Sequence, residues 1–244
     1  MHRYLIKIAF DGTDYHGWQV QPNGITVQEQ LQNSMKALYG FSPDVTGCSR
    51  TDAGVHAECF FCHFDLEGLI PNEGVIKGLN SVLPDDIRVL ECKEVDADFH
   101  SRYCAKKKTY LYRIDRRNIS DPFSCRFSYR YDGKLNVGDM NYFCSTLCGE
   151  HDFEGFSSAN RSVQDTVRTV YDCHISENGN YLELFITGNG FLYNMVRIVT
   201  GTALEVGKGK IDKNIAEKIF ITKDRSIAGA TAPAKGLFLK LVEY

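Results

Sequence analysis

Tyr4-Leu5-Ile6-Lys7-Ile8-Ala9-Phe10 and, after a polar connection, Thr26-Val27-Gln28-Glu29 set the frame of the chain. The first stretch is dense in apolar and aromatic residues and reads as a β-strand. The second puts threonine at an N-cap position with glutamate three residues on, a capping box, and the amphipathic pattern it opens stops at Gly40. Strand-like segments follow at Val45 to Cys48 and His56 to Phe64, a helix begins at Pro71, and Ile87 to Val95 reads as another strand. The first half is therefore β-α-β-β-α-β.

The second half runs in a similar order. Thr109 to Ile114 reads as strand, Val137 to Leu147 as helix, Val167 to Ile175 and Tyr181 to Thr187 as strands, and Phe191 to Val206 as helix. An additional helix near Lys213 to Phe220 precedes a last strand at Leu237 to Val242. The expected fold class is α+β: two ferredoxin-like (RRM-like) subdomains with antiparallel sheets, residues 1–104 and 105–244, flanking a central active-site cleft. The boundary is expected near Arg102 to Lys106.

Composition narrows the function classes. At 244 residues, 43% hydrophobic and 24% charged, the chain has the average make-up of a globular protein, which excludes a disordered or fibrous one. No apolar run approaches the roughly 20 residues of a membrane span, and Met1-His2-Arg3-Tyr4 lacks the apolar core of a signal peptide. A cytoplasmic protein without a membrane partner is expected. Nine cysteines, an odd number with no secretion signal before them, read as reduced thiols.

The net charge of −3 argues against nucleic acid until its distribution is considered. From Arg102 to Arg130, nine lysines and arginines stand against Asp115 and Asp121 alone, interleaved with Tyr103, Tyr110, Tyr112, Phe123, Phe127, Tyr129 and Tyr131. Charges for phosphates beside flat faces for bases suit single-stranded RNA; a solvated strand face over an aromatic core fits the same pattern.

Several chemistries lose their support. Cys59-Phe60-Phe61-Cys62-His63 has the spacing of a haem attachment or half a zinc site, but residues three apart on a strand point to opposite faces. Cys144 and Cys148, one helical turn apart, have no complementary ligand pair. Gly188-Asn189-Gly190 and Gly207-Lys208-Gly209-Lys210 have the order of neither a phosphate loop nor a dinucleotide fingerprint, and no Gly-x-Ser-x-Gly elbow occurs. Neither metal nor cofactor is expected.

What remains is Gly47-Cys48-Ser49-Arg50-Thr51-Asp52-Ala53-Gly54-Val55-His56, a polar connection between two strands. Two readings fit it. Thr51 and Asp52 could merely satisfy turn amides, or Arg50 could hold Asp52 ionised as a nucleophile or base.

This decapeptide resembles the signature loop of the TruA family of tRNA pseudouridine synthases, whose essential aspartate falls on Asp52. The resemblance covers essentially the whole chain. It continues through Phe10-Asp11-Gly12-Thr13, Gly17-Trp18-Gln19, Lys108-Thr109-Tyr110-Leu111-Tyr112-Arg113 and His151-Asp152-Phe153. Gly190-Phe191-Leu192-Tyr193-Asn194-Met195-Val196-Arg197 and Ala232-Pro233-Ala234-Lys235-Gly236-Leu237 complete it.

The resemblance implies an isomerase that converts uridine to pseudouridine at positions 38, 39 and 40 of the tRNA anticodon stem-loop, without cofactor, as a homodimer. It implies that Asp52 attacks the sugar or base or removes a sugar proton, and that Tyr110 stacks on a uracil taken out of its stem. Arg197 would pair with the aspartate, and Arg50 would contact either Asp52 or the extruded nucleotide. The polar segment Asp11 to Gln21, with the only tryptophan at Trp18, is expected to touch RNA. Three rival functions remain: a synthase of another RNA position, a noncatalytic RNA-binding module, and a glycosidase releasing free uracil, which would need a second carboxylate.

Overall fold

The structure, a computed structural model, describes residues 1–158 and 164–244. In chain order the elements begin β1 (His2–Phe10), α1 (Val27–Tyr39), β2 (Thr46–Gly47), β3 (His56–Leu66), α2 (Asn72–Val82) and β4 (Ile87–Val95). They continue β5 (Lys107–Asp115), β6 (Tyr129–Arg130), α3 (Val137–Ser145), β7 (Gly149–Asp152), β8 (Val167–Asn178), β9 (Tyr181–Gly188), α4 (Met195–Gly207), α5 (Ile215–Thr222) and β10 (Leu237–Glu243). The chain divides into one unit of Met1–Lys106 with Phe238–Tyr244 and another of Lys107–Leu237.

In the first unit β1 lies between β3 and β4 and is antiparallel to both, Ile6 facing Cys62 on one side and Cys92 on the other. Because β1 takes one edge of β3, two short pairings share the opposite edge. Gly47 of β2 meets Cys62 antiparallel, and Phe238 of β10 meets His56 in parallel. Helix α1 forms where the capping signal predicts: the Glu29 N–H donates to Thr26 Oγ1 at 3.3 Å, and Gly40 ends the helix in the left-handed region at φ 82°. Its buried residues Val27, Leu31, Ser34 and Met35 recur at helical spacing, which fixes the face that enters the core.

The second unit orders its strands β5-β9-β8-β7, all neighbours antiparallel, with Tyr110 facing Ile186; β6 adds a short parallel pairing to β5. The Asn141 side chain ties α3 to β8 by completing both hydrogen bonds of the Ile175 backbone, at 2.7 and 3.0 Å. Helix α4 is buried over most of its length. Gly201 lets it approach the following segment, since a Cβ there would stand 1.7 Å from the Ala230 carbonyl oxygen.

The α+β class with antiparallel sheets is the one expected, and four details differ. The last strand, read with the second half, contributes Phe238–Tyr244 to the first unit. Helix α4 starts at Met195 rather than Phe191, because Asn194 takes the left-handed conformation at φ 60°. Strands β6 and β7 are additional, and α3 ends at Ser145, leaving Cys148 outside the helix. Among the described residues, no helix is long and apolar enough to cross a membrane.

Candidate active site

The loop from Cys48 to Val55 joins β2 to β3 and carries Arg50 and Asp52. Arg50 is exposed, Asp52 half-buried, and Thr51 between them buried with its Oγ1 lacking a hydrogen-bond partner among the described residues. The loop's ends are fixed on β3. The Cys48 N–H donates to the Phe61 carbonyl at 2.7 Å, and the Phe61 N–H reaches Cys48 Sγ at 3.4 Å. Within the loop, the Val55 N–H closes a turn onto the Asp52 carbonyl at 3.1 Å, with Gly54 at φ 77° supplying the left-handed step.

A second segment, between β1 and α1, lies against this loop. The Trp18 N–H donates to the Thr51 carbonyl at 3.2 Å, and the Gly54 N–H donates to the Tyr15 carbonyl at 3.1 Å. The Gly12 N–H donates to Nδ1 of buried His56 at 3.0 Å, and Asp11 Oδ1 lies 3.1 Å from the same nitrogen. The His56 ring stacks on Phe238, centroids 4.8 Å apart. The Trp18 indole is only 2% exposed and sits 4.2 Å from the Phe60 ring, under Gly47. The Trp18 ring is therefore part of the core. Asp14, His16, Gln19 and Gln21 are the exposed positions of Asp11 to Gln21 that carry polar side chains.

In the second unit Tyr110 lies on β5, 6% exposed, with its ring at 84° to that of Phe191 and 5.1 Å away. Arg197 stands in the first turn of α4. Its Nε donates to the Ala232 carbonyl at 2.8 Å and Nη1 to Asn194 Oδ1 at 2.9 Å, while the Ala232 N–H returns to the Arg197 carbonyl at 3.0 Å. The left-handed Asn194 thus aims its amide along the helix it opens. Beneath, the Tyr112 hydroxyl donates to the Pro233 carbonyl at 2.8 Å; burial pushes that phenol up, and the Arg197 charge opposes the shift weakly. Arg50 and Asp52 therefore share one loop of the first unit, and Tyr110 and Arg197 belong to the second.

The basic stretch is partly neutralised where it stands. Arg113 pairs with Glu183 at 2.8 Å, and Arg117 binds Asp115 at 2.7 Å and Asp121 at 2.9 Å. Arg130 pairs with Asp132. At least three of the nine charges from Arg102 to Arg130 are thus engaged in ion pairs of the fold itself. Cys59 and Cys62 are buried on β3, where desolvation pushes both thiols up and away from the reactive thiolate. Among the described residues, no group of three or more histidine, cysteine or acidic side chains is placed to hold a metal ion.

Gly12, Gly17 and Trp18 lie in motifs that carry the resemblance, but their packing with Tyr15 as a bracket against the Asp52 loop is a feature that only the structure shows. A signal for it was available: two glycines five residues apart inside a polar connection, with a tyrosine between them, ask for close backbone approach.

Comparison with known proteins gives this constellation its relatives. A family model described as tRNA pseudouridine synthase matches residues 6–104 and 143–244. Proteins called tRNA pseudouridine synthase A from Thermoanaerobacter sp. (strain X514) and from Clostridium acetobutylicum are each 44% identical over 244 residues, covering 100% of both chains. Another of that name, from Lacticaseibacillus casei (strain BL23), is 44% identical over 247 residues with the same coverage.

Proposed function

The chain belongs to the tRNA pseudouridine synthases, and from that premise we propose that it modifies uridines 38, 39 and 40 of the anticodon stem-loop with Asp52 as its catalytic carboxylate. It is an isomerase that converts uridine in tRNA to pseudouridine. The reaction breaks the bond from N1 to C1′ and forms one from C5 to C1′. The C5 hydrogen leaves as a proton and N1 gains one, so atoms and electrons balance without a redox partner.

The observation that carries the Asp52 assignment is a half-buried carboxylate on a loop with the signature Arg50-Thr51-Asp52-Ala53-Gly54-Val55-His56, fixed by backbone hydrogen bonds on both sides. Preorganisation of that kind is what a group meeting a reacting sugar or base requires. Tyr110 is assigned to stacking on the extruded uracil, worth about 1–3 kcal/mol for an aromatic under a base. Arg50 and Arg197 are assigned to binding the substrate. These roles, a homodimeric state and a cytoplasmic location rest on the resemblance of the motifs, and the anticodon positions rest on it too.

The test is tritium release from tRNA carrying 5-tritiated uridine, since joining C5 to C1′ expels that hydrogen. The parent releases tritium, and Asp52→Ala loses at least about 10²-fold in single-turnover rate while still binding tRNA. Transcripts with uridine at only one of positions 38, 39 and 40 map the sites. Release from a uridine outside the anticodon arm and none from these three would overturn the position assignment. An Asp52→Ala variant with parental rate would overturn the catalytic one.

A further inference from the structure

The connection between β1 and α1 is anchored at one end and pressed on the Asp52 loop at the other. The anchor is the start of α1. The first N–H groups of a helix have no partner within it. Here the Val27 N–H donates to the Gly17 carbonyl at 3.1 Å and the Gln28 N–H to the Trp18 carbonyl at 3.0 Å. Residues 17 and 18 thereby cap the helix through their carbonyls while facing the loop with their other atoms.

That other face leaves no slack. Gly17 adopts φ +80°, and a Cβ on it would stand 2.2 Å from the Thr51 carbonyl oxygen and 3.1 Å from the Asp52 carbonyl carbon. The same Thr51 oxygen takes the Trp18 N–H. A Cβ on Gly12 would stand 1.9 Å from the Val55 oxygen, so the bracket closes on both ends of the turn that begins at Asp52. Tyr15 braces its middle, accepting the Gly54 N–H through its carbonyl and donating from its hydroxyl to Asp86 at 2.7 Å. The Trp18 ring fills the space under Gly47, where a Cβ would stand 2.6 Å from Nε1. Tyr15 and Trp18 are buried at this contact, and backbone hydrogen bonds set its register.

We propose that Gly17 and Trp18 are positioning residues for pseudouridine formation: they transmit the fixed start of α1 to the Thr51 carbonyl and so hold the Asp52 carboxylate in its reactive place. The inference rests on the assignment of Asp52 as the catalytic carboxylate. Neither residue touches substrate in this account, so their loss changes the chemical step and leaves tRNA binding intact. Displacing a catalytic group by about 1 Å can cost about 10²-fold in rate.

The experiment compares Gly17→Ala and Trp18→Phe with Leu79→Ala, a truncation in the buried face of α2 that belongs to neither the bracket nor the loop, all in the full-length protein. Melting temperature, tRNA affinity and single-turnover tritium release are measured at a temperature where each is folded. The expected result is a single-turnover rate reduced about 10²-fold for Gly17→Ala and about 10-fold for Trp18→Phe, with tRNA Kd within about 2-fold of the parent. Leu79→Ala melts lower and keeps the parental rate.

If Gly17→Ala does not fold, Trp18→Phe decides the matter with the same split. Parental rates in the folded variants, losses no larger than that of Leu79→Ala, or losses confined to Kd would overturn the proposal. Parent and Asp52→Ala run in parallel separate this outcome from failure of the catalytic assignment, in which Asp52→Ala itself reacts at the parental rate.

Discussion

His63 lies buried on β3 with its Nδ1 taking the Ser101 N–H at 3.2 Å and facing Ser101 Oγ at 2.9 Å. That hydroxyl spends its one proton on the Thr46 carbonyl at 2.6 Å, and it is the Ser101 N–H that makes Nδ1 an acceptor. Burial first, then the charges of Arg3 and His100, hold its pKa down from 6.5 to about 4, with Asp65 acting weakly the other way. The folded state therefore binds fewer protons than the unfolded one between these values. The contribution of His63 to stability is complete above about pH 6.5 and is lost as pH drops toward 4. Urea midpoints measured from about pH 7 to about pH 4.5 should decline in the parent and decline less steeply in His63→Asn, whatever the absolute stability of the variant. An equal slope in both would reject this role. The sequence offered His63 only as the tail of a cysteine motif. The loop of Arg50 and Asp52 stood out as a charged pair in a short glycine-flanked connection, with the resemblance alone pointing to a role for Asp52, whereas the partner of His63 lies 38 residues away.

Elements whose ends carry local chemistry were readable, and those defined by distant partners were not. Helix α1 begins and ends where Thr26 and Gly40 dictate, and β4 spans the residues its apolar pattern marks. Strand β2 shrinks to Thr46–Gly47 because only these two residues meet β3, at His63 and Cys62. Strand β7 exists because four residues from Gly149 face β8, which no periodicity within Gly-Glu-His-Asp announces. Helix α4 loses its expected first turn to Asn194, whose left-handed backbone lets the side chain reach both Ser158 Oγ, at 3.0 Å, and Arg197. Local chemistry also sets a measurable stability. Thr26→Ala removes the acceptor of the Glu29 N–H and should cost about 1 kcal/mol by urea titration. Thr26→Ser keeps an acceptor there and should recover most of that difference. Equal losses for both would assign the effect to packing of the fully buried Thr26 instead.

Over the whole molecule, the net charge of −3 says little about where charge acts, because pairs such as Arg113 with Glu183 join residues 70 apart in the chain. The same holds for the last strand. Chain order groups it with the second half, yet Phe238–Tyr244 completes the first unit and meets β3 at His56 and Ala57, just past the Asp52 loop. Two kinds of contact hold it there. Lys240 pairs with Glu58, both about two-fifths exposed, and such an ion pair contributes at most about 1 kcal/mol. Tyr244 packs edge-on to Phe61 at 5.3 Å and lies 5.1 Å from Phe99, while its hydroxyl donates to the Ser101 carbonyl at 2.8 Å. Truncating it removes aromatic area and leaves a carbonyl without its donor. Tyr244→Ala should therefore lower the unfolding free energy by about 2–4 kcal/mol, against less than about 1 kcal/mol for Lys240→Ala. Urea titration of the two variants under one buffer reads the contrast directly. A larger loss for Lys240→Ala than for Tyr244→Ala would mean that charge, and not the aromatic seat at Ser101, fastens the chain's end to the unit that carries Asp52.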